Sequence, residues 1–253
     1  MKKNYRITLV ITLLAAAGFL LQSCGKDNLV SYPTSIIKGA ITYNGQPVRL
    51  MSSNNQLNSG VATQNLNTLV LRQTGPQPLQ GGDNRIFARN DGTFTVNTFD
   101  GDYELRPNPS RAPFQDFTPI PFTLNGEQTI NIPVTPYFWV SNFQSTFVDS
   151  VFTATFKLDR IVSTAALQEV RVYFNTTNKV DASAQVFSRQ FTTVAQGVNI
   201  NGNCTITVNL KGSGMTLAEK LSVKATTKRL WANVAVKTSN IVDALYQQNI
   251  ELK

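Results

Sequence analysis

The chain has 253 residues, 42% of them hydrophobic and 15% charged, with 23 Lys and Arg against 15 Asp and Glu. It has no histidine and only two cysteines, which excludes Ser-His-Asp and Cys-His catalysis, His-liganded metals and four-cysteine zinc sites. The length suits one large domain or two of roughly 100–120 residues, each able to bury a core.

Lys2, Lys3 and Arg6 precede a largely apolar run from Ile7 to Leu21. That run is shorter than the about 20 apolar residues a membrane-spanning helix needs, so residues 1–23 read as a signal peptide. It ends in Leu21-Gln22-Ser23-Cys24, which resembles the lipobox of bacterial lipoproteins. The resemblance implies cleavage before Cys24, a lipidated tether over 24–34, and an anchor in the outer membrane. Buried lipid chains contribute roughly 0.8 kcal/mol per CH2, so such an anchor holds firmly. Gly25-Lys26-Asp27-Asn28 resembles the surface-export signal of Bacteroidota lipoproteins, and a cell-surface location is expected.

Cleavage there removes Lys2, Lys3 and Arg6 and no acid, lowering the basic excess from +8 to +5. The densest remaining basic group, Lys220, Lys224, Lys228 and Arg229, reads as a solvated face, and nucleic acid is not an expected partner. Cys204 is then the one cysteine outside the anchor. Its neighbours alternate polar and apolar, so it reads as a small core residue.

The mature chain consists of short alternating runs punctuated by Gly, Pro and Asn, the pattern of β-sandwiches. Ser35–Tyr43 reads as a strand stopped by Asn44-Gly45, a hairpin dipeptide. A second strand covers 68–72. Strands at 86–89 and 93–97 flank Asn90-Asp91-Gly92, a second hairpin turn. Another strand at 103–106 follows Asp100-Gly101-Asp102. Two more, at 121–124 and 129–134, flank Asn125-Gly126-Glu127. Residues 49–67 form a long polar connection, and 75–82 are too rich in turns for a central strand. Residues 107–121 hold Pro107, Pro109, Pro113, Pro119 and Pro121 and read as extended, carrying Arg111, Phe114, Asp116 and Phe117.

Beyond a junction at 133–139, strands are expected at 138–147, 151–158, 167–174, 185–192, 204–210, 221–227 and 232–237, with a last one from Ile250. Residues 216–221 and 240–246 suit short helical pieces. The fold class is therefore all-β, with two β-sandwich domains in tandem over 35–135 and 136–253.

Lys38-Gly39-Ala40-Ile41-Thr42-Tyr43-Asn44-Gly45-Gln46-Pro47-Val48, then Asp91-Gly92-Thr93-Phe94, then Gly101-Asp102-Tyr103-Glu104-Leu105 resemble carboxypeptidase-regulatory-like, transthyretin-type sandwiches. Ile41, Tyr43, Phe94, Tyr103 and Leu105 would supply that core. With the lipobox and Val134-Thr135-Pro136-Tyr137-Phe138, the chain resembles a Bacteroidota lipoprotein family of undetermined function with an immunoglobulin-like second domain. The family's link to SusC/SusD-type glycan importers implies an accessory surface role, with an oligo- or polysaccharide and the transporter as partners. It supplies no catalytic residues.

A pyranose presents an apolar C–H face, so Trp or Tyr stacking with a few polar contacts suits it. The candidates are Trp139 and Tyr137, which would share one strand face, Trp231 beside Arg229 and Asn233, and Phe114, Phe117 and Arg111 in the proline-rich loop. Asp100, Asp102 and Glu104 gather three carboxylates. They read as a hairpin turn, not a Ca2+ site or a glycosidase pair. Asp149-Ser150-Val151 matches a loose O-glycosylation pattern. The expected protein is a cofactor-free, non-enzymatic glycan-binding surface lipoprotein; the alternative is a scaffold module that binds other proteins and no sugar.

Overall fold

The computed structural model describes residues 32–51, 68–75, 83–211 and 229–252. Cys24, the expected strand at 221–227 and the expected helical piece at 216–221 lie outside those residues. Ser35–Lys253 is one compact unit. The described part is built almost wholly of strands in four sheets, with one short 3-10 turn at Val194–Gln196.

The first sandwich is organised on β1 (Ser35–Tyr43), whose burial alternates and buries Ile37 and Ile41 completely. It pairs antiparallel with β2 (Gln46–Pro47) and β5 (Thr93–Thr98), and in parallel with β8 (Glu127–Thr129) and β9 (Ile132–Pro133). Between β8 and β9 the backbone presses close against Gly39. A Cβ at that position would lie 1.9 Å from the Ile130 carbonyl oxygen. That approach explains the glycine in the strand interior. The opposing sheet has the order β4 (Asn84–Ile86), β3 (Leu69–Gln73), β6 (Gly101–Pro107), β7 (Ile120–Leu124). Leu69, Leu71, Tyr103 and Leu105 join Ile37, Ile41 and Phe94 in one core. Each such side chain contributes about 1.5–3 kcal/mol by leaving water.

The turns behave differently from their sequence pattern. Asn44 and Gly45, with φ of 49° and 75°, close a true hairpin in which Tyr43 faces Gln46. At Asn90-Asp91-Gly92 the chain also reverses, yet β4 pairs with β3 while β5 pairs with β1. Asn125-Gly126 likewise connects β7, paired with β6, to β8, paired with β1. The hairpin expected at Asn90-Asp91-Gly92, and the turn at Asn125-Gly126, are instead crossings from one sheet to the other. Local turn chemistry reverses the chain, but burial decides which sheet the next strand joins.

In the second sandwich, β10 (Phe138–Val148), β11 (Val151–Arg160) and β14 (Gly202–Asn209) form one sheet. The other has the order β13 (Phe187–Phe191), β12 (Leu167–Asn175), β15 (Trp231–Thr238), β16 (Ala244–Tyr246), with β17 (Ile250–Glu251) also on β15. Phe152, Phe156 and Cys204 face Val172, Phe174 and Val234 across the core. Cys204 is fully buried, as expected of a core residue, and burial pushes its thiol pKa up.

The helical piece expected at 240–246 is absent: a turn with Asn240 at φ 65° leads into strand β16. Its backbone groups bond outward instead of along a helix. Val242 N–H donates to Ser110 O at 3.1 Å, Asp243 N–H to Arg111 O at 2.9 Å, and Tyr246 N–H to Arg49 O at 3.0 Å. All three acceptors belong to the first sandwich, so the two halves are joined by main-chain bonds as well as by a continuous apolar core.

Candidate binding cleft between the sandwiches

β10 starts where the chain enters the second sandwich, and its alternation sets the aromatic pair. Phe138 and Val140 point inward at 1% and 6% exposure, while Trp139 stays half-buried on the other face. The Trp139 indole meets the Tyr43 ring edge-on, with centroids 5.0 Å apart and planes at 60°. Tyr43, expected in the first core, is half-buried at the end of β1, where it packs against the core's edge and also against Trp139.

Beside this pair lies a cleft of about 220 Å3 lined by Gln46, Pro47, Arg49, Trp139 and Gln247, with Tyr246 behind. The Asn44-Gly45 turn brings Gln46 and Pro47 to it. Val48 and Leu50, buried on either side of Arg49, hold that residue's backbone in place. The lining residues bring together an indole, two neutral amides and a guanidinium. Such a set can stack an apolar ring face and hydrogen-bond its polar rim.

The wall behind the cleft is a buried polar cluster. Asp243 is 3% exposed and accepts from Met51 N–H at 3.2 Å and Ala244 N–H at 2.7 Å. Burial pushes its carboxyl pKa up to about 7. The Lys237 ammonium donates to the Val242 carbonyl, and burial lowers its pKa. Tyr173 and Tyr246 stack with centroids 6.0 Å apart; burial raises Tyr173 to about 12 and Tyr246 well above its usual value. This cluster fixes β16, which supplies one side of the cleft.

The other expected contact residues are dispersed. Phe114 is 2% exposed and belongs to the core, bridged through its backbone to Pro136. The ring is closed to any ligand. The proline-rich loop owes its course to that packing and to main-chain bonds such as Tyr137 N–H to Pro113 O at 3.1 Å. Phe117 is half-buried in a separate groove of about 350 Å3 with Arg106, Asp83, Pro107, Pro109 and Pro119. Tyr137 is half-buried, and burial with the nearby Asp116 charge raises its pKa. Arg111 is half-buried and contributes its carbonyl to the bond from Asp243.

Trp231 is half-buried at the start of β15, packed on the cluster of Tyr173, Val180 and Tyr246, and lies outside the Trp139 cleft. Its expected companion Asn233 is fully buried, accepting from Gln247 N–H at 3.1 Å and donating to Asn249. Arg229 pairs with Glu251 at 3.6 Å. A third concavity, about 600 Å3, runs between β13 and β14 past Arg189, Phe191, Thr207 and Asn209.

The three carboxylates of the 100–104 turn are each engaged separately. Asp100 accepts from Ser35 and from Gly126 N–H, Asp102 from the Thr123 hydroxyl at 2.7 Å, and Glu104 pairs with Arg106 at 2.8 Å. Among the described residues no group of three or more acidic, Cys or His side chains is placed to hold a metal. Residues Gln46, Arg49 and Gln247 escaped sequence reading. They lie in three distant stretches with no shared motif, and only the tertiary fold joins them.

Two antiparallel-rich sandwiches in tandem, bonded through the 240–246 segment, define a two-domain all-β protein with its cleft at the junction. The chain belongs to the DUF3823 family: residues 35–135 match the model for the DUF3823 N-terminal domain of unknown function, and 138–250 match the DUF3823 C-terminal domain. A DUF3823 family protein from Parabacteroides merdae is 27% identical, with a TM-score of 0.71 over 88% of this chain and 100% of its own. One from Bacteroides ovatus is 24% identical, with a TM-score of 0.68 over 87% of this chain and 100% of its own. A Bacteroides uniformis protein, described as a "putative carbohydrate binding protein", is 17% identical, with a TM-score of 0.65 over 87% of this chain and 99% of its own. No curated protein matches the chain.

Proposed function

We propose that this protein is a non-enzymatic surface lipoprotein that captures carbohydrate at the Trp139 cleft. It is anchored in the outer membrane through Cys24 and acts as an accessory to a SusC/SusD-type importer. The observation that carries the reading is the grouping of Trp139, braced by Tyr43, with Arg49, Gln46 and Gln247 in one cleft. An indole offers the apolar platform a pyranose needs, and amides and a guanidinium supply directional hydrogen bonds around it. The description of the Bacteroides uniformis neighbour agrees with this reading, although at 17% identity the likeness is one of fold. The lipobox-like Leu21-Gln22-Ser23-Cys24 supports the anchor.

A glycan array probed with the full-length chain in detergent tests the proposal. Binding that disappears in Trp139→Ala and persists in Trp231→Ala is the expected result. Binding unchanged by Trp139→Ala would remove the site, and no binding to any glycan would favour a protein-interaction scaffold. Radiolabelled palmitate should enter the wild-type chain and be missing from Cys24→Ala.

A further inference from the structure

We propose that the Trp139 cleft takes an acidic sugar, a uronic acid residue whose carboxylate is held by the Arg49 guanidinium while its ring lies on the indole. The inference rests on the carbohydrate-binding reading and narrows it to a ligand class.

Size comes first. At about 220 Å3, the cleft is smaller than the about 300–1,000 Å3 typical of pockets for drug-sized ligands. It suits one sugar ring, with the remainder of an oligosaccharide passing outside. Charge is the second argument. Arg49 is the one charged side chain among the cleft's described lining residues; Gln46 and Gln247 are neutral amides. Among the described residues no carboxylate pairs with Arg49; the same holds for Arg85, Arg89, Arg111, Arg160 and Arg189, but of these only Arg49 lines the cleft. A ligand carboxylate entering the cleft would meet a guanidinium that no acid of the described residues already holds.

Position is the third. The Arg49 carbonyl accepts Tyr246 N–H at 3.0 Å, Val48 N–H donates to Ile41 O at 2.9 Å, and Leu50 N–H to Asn90 O at 3.2 Å. Main-chain bonds on three consecutive residues give the side chain a rigid root, which lowers the ordering cost on binding. The planar fork of arginine matches a carboxylate with two parallel hydrogen bonds, which a neutral hydroxymethyl cannot reproduce. Asp243, which accepts the amide of Met51 two residues on, spends both carboxylate oxygens on backbone amides. It is shut away from the cleft by burial and leaves the guanidinium to the ligand.

The test titrates the full-length protein in detergent with oligosaccharides of galacturonate, glucuronate, and mixed mannuronate and guluronate. Each is matched by its carboxyl-reduced neutral counterpart, which keeps the ring and linkage. At least one acidic series should bind about tenfold or more tightly than its reduced partner, as loss of a charge-assisted pair predicts. Arg49→Gln should erase that difference, and Trp139→Ala should weaken both members of the pair. Circular dichroism melts of each variant separate lost binding from lost folding. Equal binding of acid and reduced forms, or an acid preference that survives Arg49→Gln, overturns the ligand class while leaving carbohydrate binding in place. Absence of binding by every acidic and neutral glycan overturns both.

Discussion

The backbone N–H of Met51 donates to Oδ2 of Asp243 at 3.2 Å, tying together residues 192 positions apart. Met51 ends the described part of the first sandwich's polar connection, and Asp243 immediately precedes β16 of the second. Their bond, with those from Tyr246 to Arg49 and from Asp243 to Arg111, makes the junction a hydrogen-bonded seam.

That seam should be sensitive to pH. Burial raises the Asp243 pKa from 3.8 to about 7, with Asp181 adding to the rise and Lys237 and the two amides opposing it. The folded state therefore holds a proton that the unfolded chain releases above about pH 4. Stability from this group is complete below the unfolded value and is lost as pH rises through about 7. Denaturant titrations should show a decline of up to about 4 kcal/mol between pH 4 and pH 8. Asp243→Asn should flatten the slope, at a cost of about 1–3 kcal/mol at low pH from one amide facing another donor. A wild-type slope equal to that of Asp243→Asn would refute the assignment.

Gly39 and Gly45 make a contrasting pair. A methyl at Gly39 would overlap the Ile130 carbonyl oxygen at 1.9 Å and the Phe94 ring at 2.6 Å. Gly45 faces open space, and its φ of +75° is the obstacle there. Gly39→Ala should cost about 3 kcal/mol or more, because backbone must move. Gly45→Ala should cost about 1 kcal/mol. Urea midpoints of the two variants measure both.

The proline-rich loop predicts a second contrast. Phe114→Ala empties a core position and should lose about 3–5 kcal/mol of stability. Phe117→Ala, half-buried beside a groove, should lose less than half of that. Neither should alter glycan affinity at temperatures where the variant stays folded. A Phe114→Ala protein as stable as wild type would mean its ring is not packed as described.

Trp139→Phe distinguishes stacking from packing at the cleft. The smaller ring keeps an apolar face against Tyr43, so thermal stability should change by less than about 1.5 kcal/mol. Glycan affinity should fall about tenfold, since an indole gives the larger platform and an N–H. Unchanged affinity in Trp139→Phe with intact folding would argue that the indole is not the platform.

Strand positions in both halves were legible because alternation is a local property. Ile37, Ile41, Phe94, Tyr103 and Leu105 lie inward as their period demands. The turn dipeptides were legible as reversals, though not as to destination. Asn44-Gly45 closes a hairpin, whereas Asn90-Asp91-Gly92 and Asn125-Gly126 carry the chain between sheets. Residues 240–246 suited a short helical piece. The backbone partners that make it a turn and strand come from Arg49, Ser110 and Arg111.

Trp139 could be singled out because consecutive aromatics at a strand start must divide between core and surface. Phe114, in the proline-rich loop, was an equally visible aromatic, and burial in the core removed it from the surface. From the residues alone came the all-β class, the exclusion of histidine chemistry and the sites of chain reversal, since these follow from residue type and short-range period. Sheet membership, the Met51–Asp243 seam and the meeting of Arg49 with Trp139 came from the tertiary structure. They depend on which apolar faces cover one another, and contacts between residues far apart in sequence leave no local periodic trace.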